Sequence, residues 1–373
     1  MPEAVDKSNL MPRYLQVKDI LERMVRSGEI RPGDRIPSER DLAKSLDVSQ
    51  MTVNKAVGLM VREGWLRREL GNGTFVRQEL QLPPPSVVAV GFAIPAPSEA
   101  LDEDYFFGAL LRGIRKASVG RPLSLRLLDD QSRALTEAIA EAEVDGCIVV
   151  DLRGENLAAI EGLARQGRRV VVLGGHDGSL DAPVIDGDNY AGAAEAVAHL
   201  LSLGHTRIAG LFALMESWHS KQRHRAFVET LANASIATDD RLVVFDEGDG
   251  RRLAPDTAGR LSALFQTEKP PTALFCGGFF LALEAMNVIR GLDLRIPADV
   301  SIVGYDDPSP ARYLVPPLTT VRQPLEEMGE RSVVQLYDWI RQGVEPPKRT
   351  IFEESLVVRS STIRAAPRRD GPR

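Results

Sequence analysis

Apolar residues in the first 64 positions recur at helical spacing in three short segments. The first segment ends at Gly28, the second begins at Ser38 with Asp41 three residues later, as in a capping box, and the third runs from Ser49 to Gly64. Two capped helices in succession predict a helix-turn-helix. The inner faces of the first and third helices comprise Val17, Ile20, Leu21, Met24 and Val25, and Val53, Ala56, Val57 and Met60.

The residues after the third helix carry the pattern of a β-hairpin. Residues 65–70 and 74–77 are strand-like, and Gly71, Asn72 and Gly73 between them supply the positive φ angles that a tight turn needs. The three helices and the hairpin together predict a winged helix-turn-helix over residues 1–77.

A proline-rich linker over residues 78–86 separates this unit from the rest of the chain. Pro83, Pro84 and Pro85 can neither continue a helix nor pair inside a sheet, so they favour a stiff, extended spacer. A second domain is expected over residues 87–363.

In this second domain, apolar runs alternate with helical stretches, which predicts parallel strands covered by helices. A helix predicted over 189–203 divides the strands into two groups of four, so we expect two similar α/β lobes. Residues 364–373, with four arginines and two prolines, predict a disordered tail. The predicted strands are 87–92, 123–128, 146–150, 169–173, 207–211, 241–245, 273–275 and 301–304.

Composition and charge narrow the class of protein. A length of 373 residues predicts two or three domains, and 43% hydrophobic with 26% charged residues is ordinary for a soluble protein. The N-terminus has no signal-peptide pattern, no apolar run is long enough for a membrane span, and two cysteines exclude a disulfide scaffold. We therefore expect a cytoplasmic protein. Residues 1–80 carry 14 Lys and Arg against 12 Asp and Glu, whereas the remainder carries 32 against 40, so the two parts are expected to have different partners.

The polar face of the third helix carries candidate chemistry for reading DNA. Gln50 and Asn54 lie one turn apart, and both side chains can pair bidentately with adenine. Lys55 and Arg40 are placed to contact phosphates, as are Arg67 and Arg68 on the predicted hairpin. The alternative is that these side chains are merely solvated, which the combination of capped helix pair and glycine-rich hairpin disfavours.

The motifs at 32–43, 48–56 and 63–76 resemble the GntR-family DNA-binding domain nearly end to end. This family often has arginine where the chain has glutamine and asparagine in the third helix, and arginine suits guanine. The difference predicts a shift of the operator toward adenine. The resemblance implies that the DNA contacts come from Arg40, Ser49, Gln50, Thr52, Asn54 and the wing tip formed by Gly71, Asn72 and Gly73, to which the position of Lys55 on the helix adds a phosphate contact.

The second domain resembles the LacI-type sensor domain, which is similar to periplasmic sugar-binding proteins. The resemblance rests on the motifs at 188–193, 199–205, 296–307, 317–324 and 356–362, together with Arg223, Phe227 and Met328-Gly329. It implies an α/β fold with two lobes that close on a small ligand, and a dimer formed through the lobe next to the linker. The hinge helix usual in that family is replaced by the proline linker.

Candidate ligand contacts follow the predicted strands, because ligands of open α/β sheets bind beyond the carboxyl ends of strands. Asp151 and either Asp306 or Asp307 could accept hydroxyl groups, and Arg223 could donate to them. Trp218 and Phe106 could stack on a sugar. Each of these candidate ligand residues could instead have a purely structural role, as a turn cap, an ion-pair partner or a core residue.

One position departs from the LacI-type pattern. Phe279 stands where the family has an aspartate that binds ligand hydroxyls. Losing that hydrogen bond would cost about 1.5 to 3 kcal/mol of ligand binding, while the phenyl ring offers a stacking face. Carbohydrate is the leading ligand class, followed by an aromatic or less hydroxylated ligand, and then by a sensor that only dimerises.

The sequence therefore predicts a DNA-binding transcriptional regulator, a repressor in the leading reading, that acts as a homodimer on a palindromic operator under control of a small molecule. A P-loop, a zinc-protease motif and a nucleophile elbow are absent from the sequence, and the five histidines are scattered. We expect no enzymatic activity, no cofactor and no metal site.

Overall fold

The computed structural model divides the chain into two compact units, residues 1–84 and 85–373. It describes residues 12–26, 28–69, 71–78, 87–93, 105–128, 137–139, 142–150, 154–175, 180–213, 217–237, 239–248 and 252–365.

The first unit has the predicted winged helix-turn-helix. Its elements are α1 (Arg13–Arg26), α2 (Glu39–Ser45), α3 (Gln50–Arg62), β1 (Leu66–Glu69) and β2 (Gly73–Val76). The hydroxyl oxygens of Ser38 and Ser49 accept hydrogen bonds from the backbone N–H groups of Asp41 and Thr52, so the caps predicted from the sequence begin α2 and α3. The strands β1 and β2 pair antiparallel. The inner faces of the helices meet Trp65 in one apolar core.

The second unit consists of two lobes, each built on a six-stranded sheet. Lobe 1 has the strand order β13-β7-β6-β5-β3-β4, and lobe 2 has β14-β12-β11-β10-β8-β9. All neighbours pair parallel except β12 and β14. The strands are β3 (Val88–Ala93), β4 (Leu123–Leu128), β5 (Gly146–Val150), β6 (Val170–Leu173), β7 (Val184–Gly187), β8 (Ile208–Ala213), β9 (Val243–Asp246), β10 (Ala273–Cys276), β11 (Ser301–Tyr305), β12 (Thr319–Arg322), β13 (Arg349–Phe352) and β14 (Ser355–Val357).

Helices pack against both sheets, as the alternating pattern predicts. They are α4 (Tyr105–Ser118), α5 (Gly154–Arg165), α6 (Asn189–Ser202), α7 (Trp218–Asn233), α8 (Pro255–Phe265), α9 (Phe279–Gly291) and α10 (Leu325–Gln342). Over the described ranges, no helix combines the length and apolar character needed to cross a membrane.

The four strands predicted before the helix over 189–203 all lie in lobe 1 and the four predicted after it all lie in lobe 2, but the lobes are not simply successive halves of the chain. The chain passes from lobe 1 to lobe 2 between β7 and α6, returns between β12 and α10, and crosses again between β13 and β14. Sequence reasoning missed β7, β12, β13 and β14 because each has only three or four residues and includes polar side chains. These are the strands that flank the crossings.

The structure describes only part of the predicted linker before the sensor and of the predicted tail after it. Residues 79–86 of the linker and 366–373 of the predicted tail lie outside the described ranges. Ala365, within the predicted tail, donates its backbone N–H to the carbonyl oxygen of Leu203 at 2.9 Å. The first two residues of that segment therefore belong to lobe 2.

Candidate functional site

The helix α3 presents a polar face on the surface of the first unit. Its apolar residues face the core, while the side chains of Ser49, Gln50, Asn54 and Lys55 are exposed. Thr52 is half-buried, and its hydroxyl group lies 2.8 Å from that of Ser49. The exposed row follows from the helical repeat, which separates polar from apolar positions.

A hydrogen-bond network links α3 to α2 and to the hairpin. Asn54 Nδ2 donates to Glu39 Oε2 at 2.8 Å, and Arg68 Nη2 donates to Glu39 Oε1 at the same distance. Glu39 thereby orients one of the predicted base-reading side chains. The ammonium group of Lys55 lies 3.9 Å from the centroid of the Tyr14 ring.

The remaining predicted DNA contacts lie on α2 and at the hairpin turn. Arg40 is exposed in the first turn of α2, and Asn72 is exposed at the turn. Gly71 and Gly73 have φ angles of 80° and 114°, as the hairpin pattern requires. All nine residues are thus held by the first unit, and their contacts with DNA stay predictions.

In the second unit, Arg223 and Asp306 meet where the chain crosses between the lobes. Arg223 lies on α7, Asp306 follows β11, and the two residues are 8% and 9% exposed. Arg223 Nη2 is 4.0 Å from Asp306 Oδ1, while its Nε donates to Asn189 Oδ1 at 2.9 Å and its Nη1 to the carbonyl oxygen of Gly277 at 2.7 Å. Burial by itself lowers the pKa of Arg223, but the neighbouring acidic groups, Asp306 first among them, outweigh it and raise the pKa.

The structure separates the two aspartates that the sequence leaves as alternatives. Asp306 has a φ of 69° and accepts hydrogen bonds from Tyr105 in lobe 1, at 2.9 Å, and from Gln323. Asp307 instead pairs with Arg322 and Arg359, at 2.6 and 2.7 Å. Of the two, only Asp306 belongs to the group around Arg223.

Trp218 and its neighbour His219 contact lobe 1 at the start of α7. A Cβ at Gly175 would overlap the Trp218 indole, so the absence of a side chain there lets the lobes approach. His219 Nε2 accepts from the backbone N–H of Gly175 at 2.9 Å and lies 3.3 Å from Asp186 Oδ1.

The other residues predicted to contact a ligand are Phe279, Phe106 and Asp151. Phe279 is 4% exposed within the core of lobe 2, and its ring meets that of Tyr105 edge-on at 5.6 Å. Phe106 packs against the core of lobe 1. Asp151 lies outside the described residues. Tyr105 therefore connects Phe279 to Asp306, and ligand contact by any of these residues stays a prediction.

Four polar residues of this group were not singled out from the sequence as ligand residues. Asn189 and Gln323 lie within the motifs that resemble the LacI-type sensor, so the motifs contained a signal for them. Tyr105 and Glu354 have no such signal, because the residues they meet, Asp306 and Tyr305, are distant in the sequence. Within the described ranges, no cluster of three or more His, Cys, Asp or Glu side chains could hold a metal ion.

Both units of the chain are similar to known families of proteins. Residues 13–76 match the family of bacterial regulatory proteins of the gntR family, and residues 197–362 match the periplasmic binding protein-like domain. The chain is 28% identical over 368 residues to an arabinose metabolism transcriptional repressor of Halalkalibacterium halodurans, covering 95% of this chain and 97% of the relative. It is 33% identical over 242 residues to the HTH-type transcriptional regulator reg1 of Streptomyces lividans, covering 64% and 70%.

Solved structures share the fold. A complex described as transcriptional regulator CelR-cellobiose superposes with a TM-score of 0.65 at 24% identity, covering 87% of this chain and 100% of that one. A LacI-family regulatory protein of Chloroflexus aggregans gives a TM-score of 0.63 at 25% identity, covering 74% and 98%. The chain thus belongs to the bacterial HTH-type transcriptional regulators, as a sequence-specific DNA-binding member that joins a gntR-family head to a periplasmic-binding-protein-like sensor.

Proposed function

We propose that this regulator is a cytoplasmic repressor that binds a palindromic operator as a homodimer and responds to a small carbohydrate between the lobes of its sensor. The Arg223–Asp306 pair carries this proposal, because two buried charged side chains stand together at the crossing between the lobes. A carboxylate accepts hydrogen bonds from hydroxyl groups and a guanidinium donates several, which suits a polyhydroxylated ligand.

The relatives support the ligand class. The name of one relative refers to arabinose metabolism, and one structure of the same fold is a complex with cellobiose. We therefore place carbohydrate ahead of the less hydroxylated ligands that Phe279 would favour. We also propose boundaries at residues 1–77 for the DNA-binding head, 78–86 for the linker and 87–363 for the sensor, extended by the first two residues of the predicted tail.

Control of DNA binding requires that the ligand favours one arrangement of the lobes. Closure around Arg223 and Asp306 would alter the packing of paired sensors and, through residues 78–86, the spacing of the two DNA-binding heads. Such coupling is typically about 1 to 3 kcal/mol and must be reciprocal, so operator DNA should weaken inducer binding by the same factor.

A thermal-shift screen of the full-length protein against arabinose, ribose and cellobiose tests the ligand class. A sugar present at about 100 times its dissociation constant should add about 2.7 kcal/mol to the stability of the sensor and raise its melting temperature. The same sugar should weaken operator binding in a gel-shift assay. If none of these sugars raises the melting temperature or weakens operator binding, while operator DNA still binds, the carbohydrate proposal is wrong. The hypothesis of a sensor that only dimerises would then be favoured.

The substitution Gln50→Arg tests which side chain reads the operator. Arginine pairs with guanine, so selection of binding sites should show a change from adenine to guanine at one position of each half-site, with about 5- to 150-fold discrimination. The control Gln78→Arg adds the same charge to an exposed position outside α3 and should leave the base preference unchanged. An unaltered preference in Gln50→Arg would show that Gln50 does not contact a base.

A further inference from the structure

Glu354 is a half-buried acid at the third crossing between the lobes, and its carboxyl group points into the protein. It lies two residues after β13 and directly before β14. Its carboxyl group fills the space beside Gly187 and Gly192, where a Cβ on the latter would lie 2.6 Å from Oε2. The other oxygen, Oε1, is buried and has no hydrogen-bond partner among the described residues. An ionised carboxylate in this position would leave a buried charge poorly compensated.

The hydrogen-bond geometry around Tyr305 indicates which form of Glu354 fits. The Tyr305 hydroxyl group lies within hydrogen-bond distance of Glu354 Oε2 and 3.2 Å from the carbonyl oxygen of Asn189. A phenol has one proton, so it cannot serve both acceptors when Glu354 is ionised. A neutral Glu354 donates its own proton to the Tyr305 oxygen, and Tyr305 can then donate to Asn189.

The electrostatic surroundings agree with a neutral acid. Burial raises the pKa of Glu354 to about 7, although the charge of Arg223 and the hydrogen bond from Tyr305 act to lower it. Asp306, after β11, and Asp186, on β7, are further acids that raise the pKa. The carboxyl group is therefore set to change its protonation near neutral pH.

Tyr305, which meets Glu354, and Asn189, whose carbonyl oxygen lies beside the Tyr305 hydroxyl group, both hold Arg223. The Arg223 guanidinium lies over the Tyr305 ring, 3.7 Å from its centroid, and Arg223 Nε donates to Asn189 Oδ1. We infer that Glu354 is a positioning residue, which as a neutral acid holds Tyr305 and Asn189 in place around Arg223 and so tunes the ligand site. This inference rests on the proposed function only for its effect on sugar binding.

The position of Arg223 can be followed without a ligand by NMR of the full-length protein carrying ¹⁵N-labelled arginine. In the wild-type protein the Arg223 Nε resonance, assigned from its loss in Arg223→Lys, should shift with pH with a midpoint near the Glu354 pKa of about 7. In Glu354→Gln the amide donates to Tyr305 at every pH, so the resonance should stay at its low-pH position. The control Glu353→Gln removes an exposed neighbouring carboxylate and should titrate like the wild type.

Sugar affinity gives a second readout. The wild-type protein should bind whichever of arabinose, ribose and cellobiose it accepts about 2- to 10-fold more weakly at pH 8 than at pH 6, the effect of one hydrogen bond. Glu354→Gln should bind equally at both values, at the wild-type affinity of pH 6. An Arg223 resonance that does not titrate, or that titrates equally in Glu354→Gln, would overturn the inference. If the Arg223 resonance shifts with pH as expected but no sugar binds, the inference that Glu354 positions Arg223 stands. That outcome would contradict only the proposal that the ligand is a carbohydrate.

Discussion

Replacing Asp306 by asparagine should weaken effector binding by about 10- to 150-fold, because a hydrogen bond to a charged group is typically worth about 1.5 to 3 kcal/mol. Asparagine keeps the size of the side chain and tolerates the positive φ of 69° that Asp306 adopts. It removes the negative charge beside Arg223 and reduces the number of lone pairs available to ligand hydroxyl groups. Isothermal titration with the sugar identified by thermal shift measures the loss.

A matched control for this substitution lies in the same lobe. Asp293 is exposed and also has a positive φ, of 59°, so Asp293→Asn makes the same chemical change outside the group around Arg223. Operator binding without a sugar should be unchanged in both variants, since each folded head remains intact. Equal sugar affinities for Asp306→Asn and the wild type would place the ligand elsewhere.

A large loss of stability is expected from a substitution at the contact between α4 and α10 in lobe 1. A Cβ on Gly113 of α4 would overlap the carbonyl oxygen of Glu326 on α10 and lie 2.9 Å from the backbone nitrogen of Glu330. Backbone atoms cannot move aside as the end of a side chain can, so the helices must separate. We expect Gly113→Ala to lower the free energy of unfolding of the sensor by about 2 to 3 kcal/mol, despite the better helix propensity of alanine.

Calorimetry of the full-length protein should show this loss as a fall of at least about 4 °C in the melting temperature of the sensor. The control Gly259→Ala lies on α8, where a Cβ would meet nothing within 4 Å. Its higher helix propensity should leave the melting temperature unchanged or raise it slightly. A Gly113→Ala protein as stable as the Gly259→Ala protein would mean that the packing of α4 on α10 adapts at little cost.

The sequence by itself determined the architecture of the DNA-binding head. Its helix caps, apolar spacing and glycine turn all act within a few residues, and the structure has α2, α3 and the hairpin where these signals place them. The eight strands predicted in the sensor were recognisable for a related reason. Six of them are apolar runs buried within a sheet, which leaves a clear pattern in the sequence, whereas β4 and β9 lie at sheet edges and are more exposed.

Only the tertiary structure decided how the chain divides between the lobes and which polar groups meet at their junction. The hydrogen bond from Tyr105 to Asp306 joins residues 201 positions apart. The contact of the buried Phe279 with Tyr105, and that of the Glu354 carboxyl group with Tyr305, likewise depend on segments brought together by the crossings. Local spacing carries no information on such contacts, because the partner of a side chain and its access to water are set by the packing of distant strands and helices.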